Sequence, residues 1–405
     1  AQAAEGTLIY LQITMEIVNF VGKWENMEEK KEKYAIGDQD FKSLREGGYL
    51  YIDKTAYIKK ILDGSKYYFL ARPRRFGKSL FLSTLKYFFE GRRELFKGLY
   101  IDSTDWDWES YPVIYIKFGK ENYTRPGMLE KVLDKTFQEL EERYGILDIS
   151  RLYSMRLYEI IKSASKKSGK RVVILIDDYD KPMIDNLQDK ETFDHCFNLL
   201  AGIYGNLKSN AENLAFVFLT GTYHVSQYRD LHELNSLYDL SISSVGSGLC
   251  GFTQEEVTRF LFDGIERFAL CRGLTQEEVM CILKDRYRGY RFSNGNIEVF
   301  NPWSILNALA YSEVRNFWNE TGMPPEVRES LSTLDKSELS ELNEISSKLR
   351  FTHHFARYGI NLIGILYQNG YLTIKDYDID YDRFLLGIPD KEVEEAIYKI
   401  VEKQE

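Results

Sequence analysis

The stretch Ala71-Arg72-Pro73-Arg74-Arg75-Phe76-Gly77-Lys78-Ser79 lies between two apolar runs of different period. Upstream, Tyr67, Tyr68, Phe69 and Leu70 read as a buried strand; downstream, Leu80, Phe81, Leu85, Phe88 and Phe89 form one face of a helix. A strand, a tight loop bearing Gly-Lys-Ser, and a helix are the context of a phosphate-binding P-loop. Backbone N–H groups at the helix start point at the anion, and the helix dipole favours it. Lys78 is expected on the β- and γ-phosphates of a nucleotide, and the Ser79 hydroxyl on Mg²⁺. Arg74, Arg75, Phe76, Gly77 and Leu80 complete the expected binding loop. The usual pattern has a glycine five positions before Gly77, where this sequence holds Arg72. The flanking strand and helix therefore carry most of the weight.

A second element supports this reading. Val172-Val173-Ile174-Leu175-Ile176 is a β-branched run that ends in Asp177-Asp178-Tyr179-Asp180. Ligand sites in parallel sheets lie at the carboxyl ends of the strands. Asp177 is thus expected beside Ser79, where it would hold Mg²⁺ through water. The plain alternative is an acidic turn after a buried strand.

These residues resemble a known family. Phe41 to Thr55 (with Asp53-Lys54-Thr55 at its end), the Arg-Pro-Arg-Arg-Phe-Gly-Lys-Ser loop, and Leu175 to Pro182 are similar to the bacterial AAA-ATPase-like proteins. The likeness continues through Thr220-Gly221, Leu234 to Leu240, Gly251 to Val257, Tyr287 to Phe292, Asn301 to Ser304 and Gly387 to Val393. The resemblance implies ATP and Mg²⁺ as cofactors, an ATP-hydrolysing core, and a PD-(D/E)XK nuclease-like domain after the segment ending near Val393. No nuclease activity is expected of this chain itself, and nucleic acid would be reached only through such a domain. The P-loop lacking its first glycine is normal for the family.

Two departures bear on catalysis. The second acidic residue after the strand is Glu in the family pattern and Asp178 here, one methylene shorter for a carboxylate that must reach water. After Thr220-Gly221 the pattern has a Ser-Arg pair, where this sequence reads Tyr223-His224. An arginine facing the γ-phosphate contributes large rate factors, and a mostly neutral His replaces it poorly; Arg229 is the fallback. The expected catalytic set is Asp178, Thr220, His224 and Arg229. Slow ATP hydrolysis is expected, with a nucleotide-binding scaffold that hydrolyses little as the alternative. Asp53 is expected either at the sugar or base side of the nucleotide or as a cap on the helix from Thr55 to Leu62.

Composition bounds the rest. Hydrophobic residues make up 44% of the sequence, with 29 Tyr and 24 Phe, which is enough for packed cores and excludes a disordered chain. A net charge of −9 excludes an electrostatic nucleic-acid binder. The cluster Arg72, Arg74, Arg75 and Lys78 is assigned to phosphate. Cys196, Cys250, Cys271 and Cys281 have neither zinc spacing nor the pattern of a disulfide framework, which points to a reducing, cytoplasmic compartment. No run approaches the ~20 apolar residues of a membrane-spanning helix.

The order of elements predicts an α/β fold: a P-loop NTPase core with a mostly parallel sheet over 35–250. Strands are expected at Lys66–Leu70, Val113–Phe118, Arg171–Ile176 and Leu214–Thr220. A helical lid is expected over 251–345, opened by capping boxes at Thr253 and Thr275 and interrupted by an aromatic loop from Tyr287 to Asn301. A helix and hairpin in 346–405 suggest a winged-helix-like unit. Residues 1–34 are expected to be an extension or leader, with a period-two pattern through Leu11, Ile13, Met15 and Ile17.

Overall fold

The computed structural model describes residues 32–147, 152–224, 237–348, 355–356, 359–360 and 362–402. The pattern through Leu11 and Ile17 lies outside them. Five strands form the central sheet: β1 (Tyr67–Ala71), β2 (Val113–Lys117), β3 (Val172–Asp177), β4 (Leu214–Gly221) and β5 (Tyr238–Asp239). Their order is β2-β3-β4-β1-β5, and every pairing is parallel. The four long strands stand within one residue of the sequence expectation.

Parallel sheets are covered on both faces, and their strands are correspondingly apolar throughout. In β3 every residue is buried, Asp177 included. Successive side chains alternate between two cores. Tyr68, Leu70, Val173, Leu175, Phe216 and Phe218 face one side, against the P-loop helix α1 (Lys78–Phe89). Phe69, Ile114, Ile116, Ile174, Ile176 and Leu219 face the other. There they meet α2 (Met128–Tyr144), α3 (Tyr153–Ser168) and α4 (Lys190–Ser209). The result is an α/β P-loop NTPase-like fold.

The segment that follows is less purely helical than its sequence suggests. The expected capping boxes are formed: Thr253 with Glu256 opens α5 (Gln254–Phe260), and Thr275 with Glu278 opens α7 (Gln276–Tyr287), with α6 (Phe262–Arg272) between them. The expected aromatic loop from Tyr287 to Asn301 is instead a hairpin. Strand β6 (Phe252–Thr253) and β7 (Arg288–Arg291) both pair antiparallel with β8 (Glu298–Phe300). Tyr290, Phe292 and Val299 are buried, the two aromatics against Phe76, which is why a run rich in aromatics leaves solvent. Helix α8 (Pro302–Tyr311) follows at once, with Asn301 accepting from the Trp303 and Ser304 N–H groups.

Helix α9 (Pro325–Leu331), inside the segment expected as the lid, packs with a C-terminal unit of β9 (Ile345–Ser347), α10 (Leu362–Gln368), β10 (Thr373–Asp378), β11 (Arg383–Gly387) and α11 (Lys391–Val401). The strands form an antiparallel sheet in the order β9-β11-β10. A helix followed by a hairpin is the winged-helix-like arrangement expected. One apolar cluster runs from Phe41 through the P-loop face to Ile365, Leu386, Val393 and Val401, so this unit shares the core of the ATPase-like sheet.

Candidate functional site

The loop between β1 and α1 turns at two left-handed residues, Arg75 (φ 70°) and Gly77 (φ 97°). Nothing lies within 4 Å of where a Gly77 Cβ would stand, so its backbone angle, and not crowding, calls for glycine there. Arg72, in the place of the absent first glycine, is not part of the phosphate cradle. It is buried, donates to the carbonyls of Ala71, Ser241 and Gly246, and stacks on Phe292 at 4.1 Å. Its assignment to phosphate is therefore corrected: the guanidinium braces the back of the loop. Phe76 is likewise turned inward against Tyr290 at 4.7 Å, though it borders the cavity.

A cavity of about 460 Å³ opens in front of this loop. Arg74, Arg75, Gly77, Lys78, Ser79 and Leu80 line it from the P-loop side. Arg74 and Arg75 are exposed, and Arg75 lies over the Trp303 ring at 4.3 Å. Lys78 is buried, and its Nζ donates to the carbonyls of Arg72 at 2.8 Å and Pro73 at 3.1 Å. Its ammonium is thus held by the loop's own carbonyls at a cavity lined both by cations (Arg74, Arg75, Lys181) and by carboxylates (Asp38, Asp178, Asp180, Asp185).

The carboxyl ends of β3 and β4 meet behind Ser79. Asp177 Oδ1 accepts from the Ser79 hydroxyl at 3.1 Å and the Thr220 hydroxyl at 2.8 Å. Its Oδ2 accepts from the Tyr115 hydroxyl at 3.3 Å and lies 3.5 Å from Lys117 Nζ. Burial, then the negative charge of Asp177, raises the Tyr115 phenol far above its ordinary value. Thr220 is wholly buried and reaches the site through Asp177, which makes it a positioning residue. Ser79 and Asp177 present hard oxygen donors, the chemistry Mg²⁺ selects; it keeps waters and takes its remaining ligands from phosphate. Among the described residues no group of three or more His, Cys, Asp or Glu could hold a metal.

Asp178 lines the cavity in the left-handed region (φ 52°), which Asp tolerates better than most residues. Burial, then Asp177, raises its carboxyl above the usual range, opposed by Lys78, Lys117 and Lys181. A Cβ on Gly119 would stand 2.3 Å from Asp178 Oδ2, so glycine at 119 makes room for that carboxylate. Asp180, also buried at the cavity, accepts from the Thr222 N–H at 2.8 Å and the Tyr223 N–H at 2.7 Å. Burial and Asp178 push it up to about 7.

Residues 35–229 match the family described as predicted AAA-ATPase. That segment belongs to the AAA-ATPase-like family. Over 346 residues the chain is 33% identical to an uncharacterized protein from the vnfD 5′ region of Azotobacter chroococcum mcd 1, covering 85% of this chain. The chain spans 64% of that relative's length. A solved structure, the Aeropyrum pernix ORC2 protein in ADPNP and ADP complexes, aligns over 87% of this chain and 92% of that one. Its sequence identity is 12% and its TM-score 0.28.

The AAA-ATPase-like segment supplies every phosphate-side residue, but not the whole cavity. Phe252, Pro302, Trp303 and Leu306, from beyond that segment, also line the cavity, together with Ala35 and Ile36. Sequence reasoning named the Asn301 to Ser304 and Gly251 to Val257 motifs without assigning them to the site. The Asn-Pro-Trp helix start, an aromatic at the mouth of a capped helix, was the signal available.

Two expected site residues stand elsewhere. His224 does not line this cavity. It is buried edge-on to Phe69 at 4.8 Å, with Nε2 3.3 Å from Asp239 Oδ2 and its backbone N–H on Gln368. Burial and nearby Arg72 hold its imidazole below the ordinary value against the pull of Asp239, so it is neutral there. Its place as a γ-phosphate cation is corrected. Asp53 does not line the cavity either. Its Oδ1 accepts from Thr55 N–H and hydroxyl at 2.8 and 2.7 Å, and its Oδ2 from the Tyr100 N–H at 2.7 Å. Both oxygens are engaged locally, so the nucleotide contact gives way to a brace on the first helical N–H, one residue before the N-cap position at Lys54. Neighbouring Lys54 is buried and paired with Glu256 at 2.6 Å. Arg229 lies outside the described residues.

Proposed function

We propose that this protein binds Mg·ATP in the cavity before the P-loop and hydrolyses it slowly. The observation that carries the reading is Lys78, held by loop carbonyls beside Ser79, whose hydroxyl meets Asp177 on the adjacent strand end. In this arrangement Lys78 exchanges Arg72 and Pro73 for β- and γ-phosphate oxygens. Arg74 and Arg75 add charge at the cavity mouth, and Ser79 with water-bridged Asp177 holds Mg²⁺. When bound, that ion neutralises charge on the phosphates.

The base end falls to the apolar wall of Ala35, Ile36, Phe252, Trp303 and Leu306. Because the last three belong to the segment after the sheet, nucleotide would bridge the two and move the helical segment against the core. Slow turnover follows from the two departures: Asp178 is one methylene shorter than the family's Glu, its carboxyl raised by burial and by Asp177, and His224 does not line the cavity. The same observations favour, as a second reading, a nucleotide-dependent scaffold in which binding and not hydrolysis is the working event.

Calorimetry with Mg·ATP tests the first claim. Lys78→Ala removes charge-assisted contacts that contribute about 1.5–3 kcal/mol, so affinity is expected to fall about tenfold or more with the fold intact. Equal affinity in both proteins would sink the assignment. Phosphate release that survives Asp177→Asn unchanged would remove the Mg²⁺ role; release absent from the wild type while ATP still binds would decide for the scaffold.

A further inference from the structure

We infer that Tyr223 is a positioning residue that ties the phosphate end of the cavity to the C-terminal unit, so that this unit responds to bound nucleotide. The inference rests on the nucleotide-binding reading above and adds to it a specific route and a specific receiver.

Tyr223 belongs to both regions at once. Its backbone is clamped by the turn after β3: the N–H donates to Asp180 at 2.7 Å, and the carbonyl accepts from the Tyr179 hydroxyl at 2.9 Å. Gly221, just before it, has no room for a Cβ, since one would lie 2.6 Å from the Tyr179 ring and 2.8 Å from Asp180 Oδ1. The exit of β4 must therefore move with the acidic turn that faces the phosphates. At the other end, the buried ring borders the cavity and its hydroxyl donates to Glu326 of α9 at 2.7 Å. The same oxygen accepts from Asn369, just after α10, at 2.5 Å. The next backbone N–H, of His224, donates to Gln368 at 3.0 Å.

A second contact reaches the P-loop itself. The Trp318 indole donates to the Arg74 carbonyl at 3.1 Å, and Gly370 (φ 84°) packs so closely on Pro73 that a Cβ would lie 2.9 Å away. The two backbones that flank the phosphate position, residues 72–78 and 220–224, are thus each joined to the C-terminal unit. Coupling between sites requires a contiguous contact that differs between two states. A nucleotide that draws Lys78 off its loop carbonyls and sets its phosphates before the Asp178–Asp180 turn alters both anchors.

The test is hydrogen exchange on the full chain with and without Mg·ADPNP, alongside calorimetry. In the wild type, amides of 325–331 and 362–368 are expected to exchange about fivefold more slowly with nucleotide, the low end of ordinary coupling. Helix 153–168, on the far face of the sheet, is the internal control. Tyr223→Phe keeps the ring and removes the hydroxyl link. Glu326→Ala breaks the same link from the other side. Both are expected to bind Mg·ADPNP within about twofold of wild type, to exchange like wild type when free, and to lose most of the remote slowing. Slowing retained in full by both variants overturns the inference, as does a wild type that binds ADPNP without any slowing. A wild type that does not bind ADPNP overturns the nucleotide-binding reading itself.

Discussion

Asp180 is a carboxylate that the fold keeps close to half-protonated near neutral pH. Its pKa is pushed up to about 7 by burial and by Asp178, while the Thr222 and Tyr223 N–H groups pull the other way. A carboxyl raised above its unfolded value binds its proton more tightly in the native state. That preference stabilises the fold fully below about pH 4 and is lost as pH rises through about 7. A rise of about three units corresponds to something on the order of 4 kcal/mol. Asp180→Asn should therefore flatten the fall in melting temperature between pH 5 and pH 8, to be read by calorimetric scans. An unchanged slope would place the titration elsewhere, with Glu392, also raised to about 7, the next to test. Gly119 offers a cleaner probe of Asp178. Gly119→Ala puts a methyl on Asp178 Oδ2, so turnover should fall with little change in ATP affinity if the role proposed for Asp178, on water and not on bound phosphate, holds.

Strands and helices whose burial is uniform or strictly periodic were legible from sequence alone. Val172–Asp177 is buried on both faces and could be nothing but a central strand, and the Thr253 and Thr275 boxes mark helix starts through chemistry confined to four residues. The hairpin at Arg288–Phe300 was not legible, because its partner β6 precedes it by three whole helices and local pattern carries no trace of that pairing. Arg72 and His224 were misread for a related reason. A charged residue inside a phosphate motif looks functional until its burial is known, and the carbonyls that take up Arg72 lie far along the chain. Asp53 was open between two roles, and the structure engages both its oxygens locally. Loss of hydrogen bonds to a charged acceptor of this kind costs about 1.5–3 kcal/mol. Asp53→Ala is thus expected to lower the melting temperature and leave Mg·ATP affinity unchanged; a loss of affinity at constant stability would restore the nucleotide contact.

Three segments with different patterning nonetheless make one body. Ile365, Leu366, Leu372, Ile374, Leu386, Val393 and Ile397 of the C-terminal unit are buried in the same apolar cluster as Phe81, Leu85 and Phe88 of the P-loop helix. Burying one such side chain contributes about 1.5–3 kcal/mol. Seven of them make a gross contribution that is large beside a domain's net stability of about 5–15 kcal/mol, before the cost of ordering the chain is subtracted. The boundaries at 250 and 345 then separate patterns of sequence and not units that stand alone. A chain ended after residue 345 would expose the P-loop face of the cluster to water. It is expected to be recovered aggregated or without a cooperative thermal transition, whereas residues 1–405 unfold in a single transition that Mg·ATP shifts upward. At a hundredfold excess over the dissociation constant, ligand linkage adds about 2.7 kcal/mol, enough to see in a scan. If the truncated chain instead melts cooperatively and keeps its ATP-dependent shift, the C-terminal unit is an appendage to the site. Its place beside Arg74 and Tyr223 would then be contact without consequence.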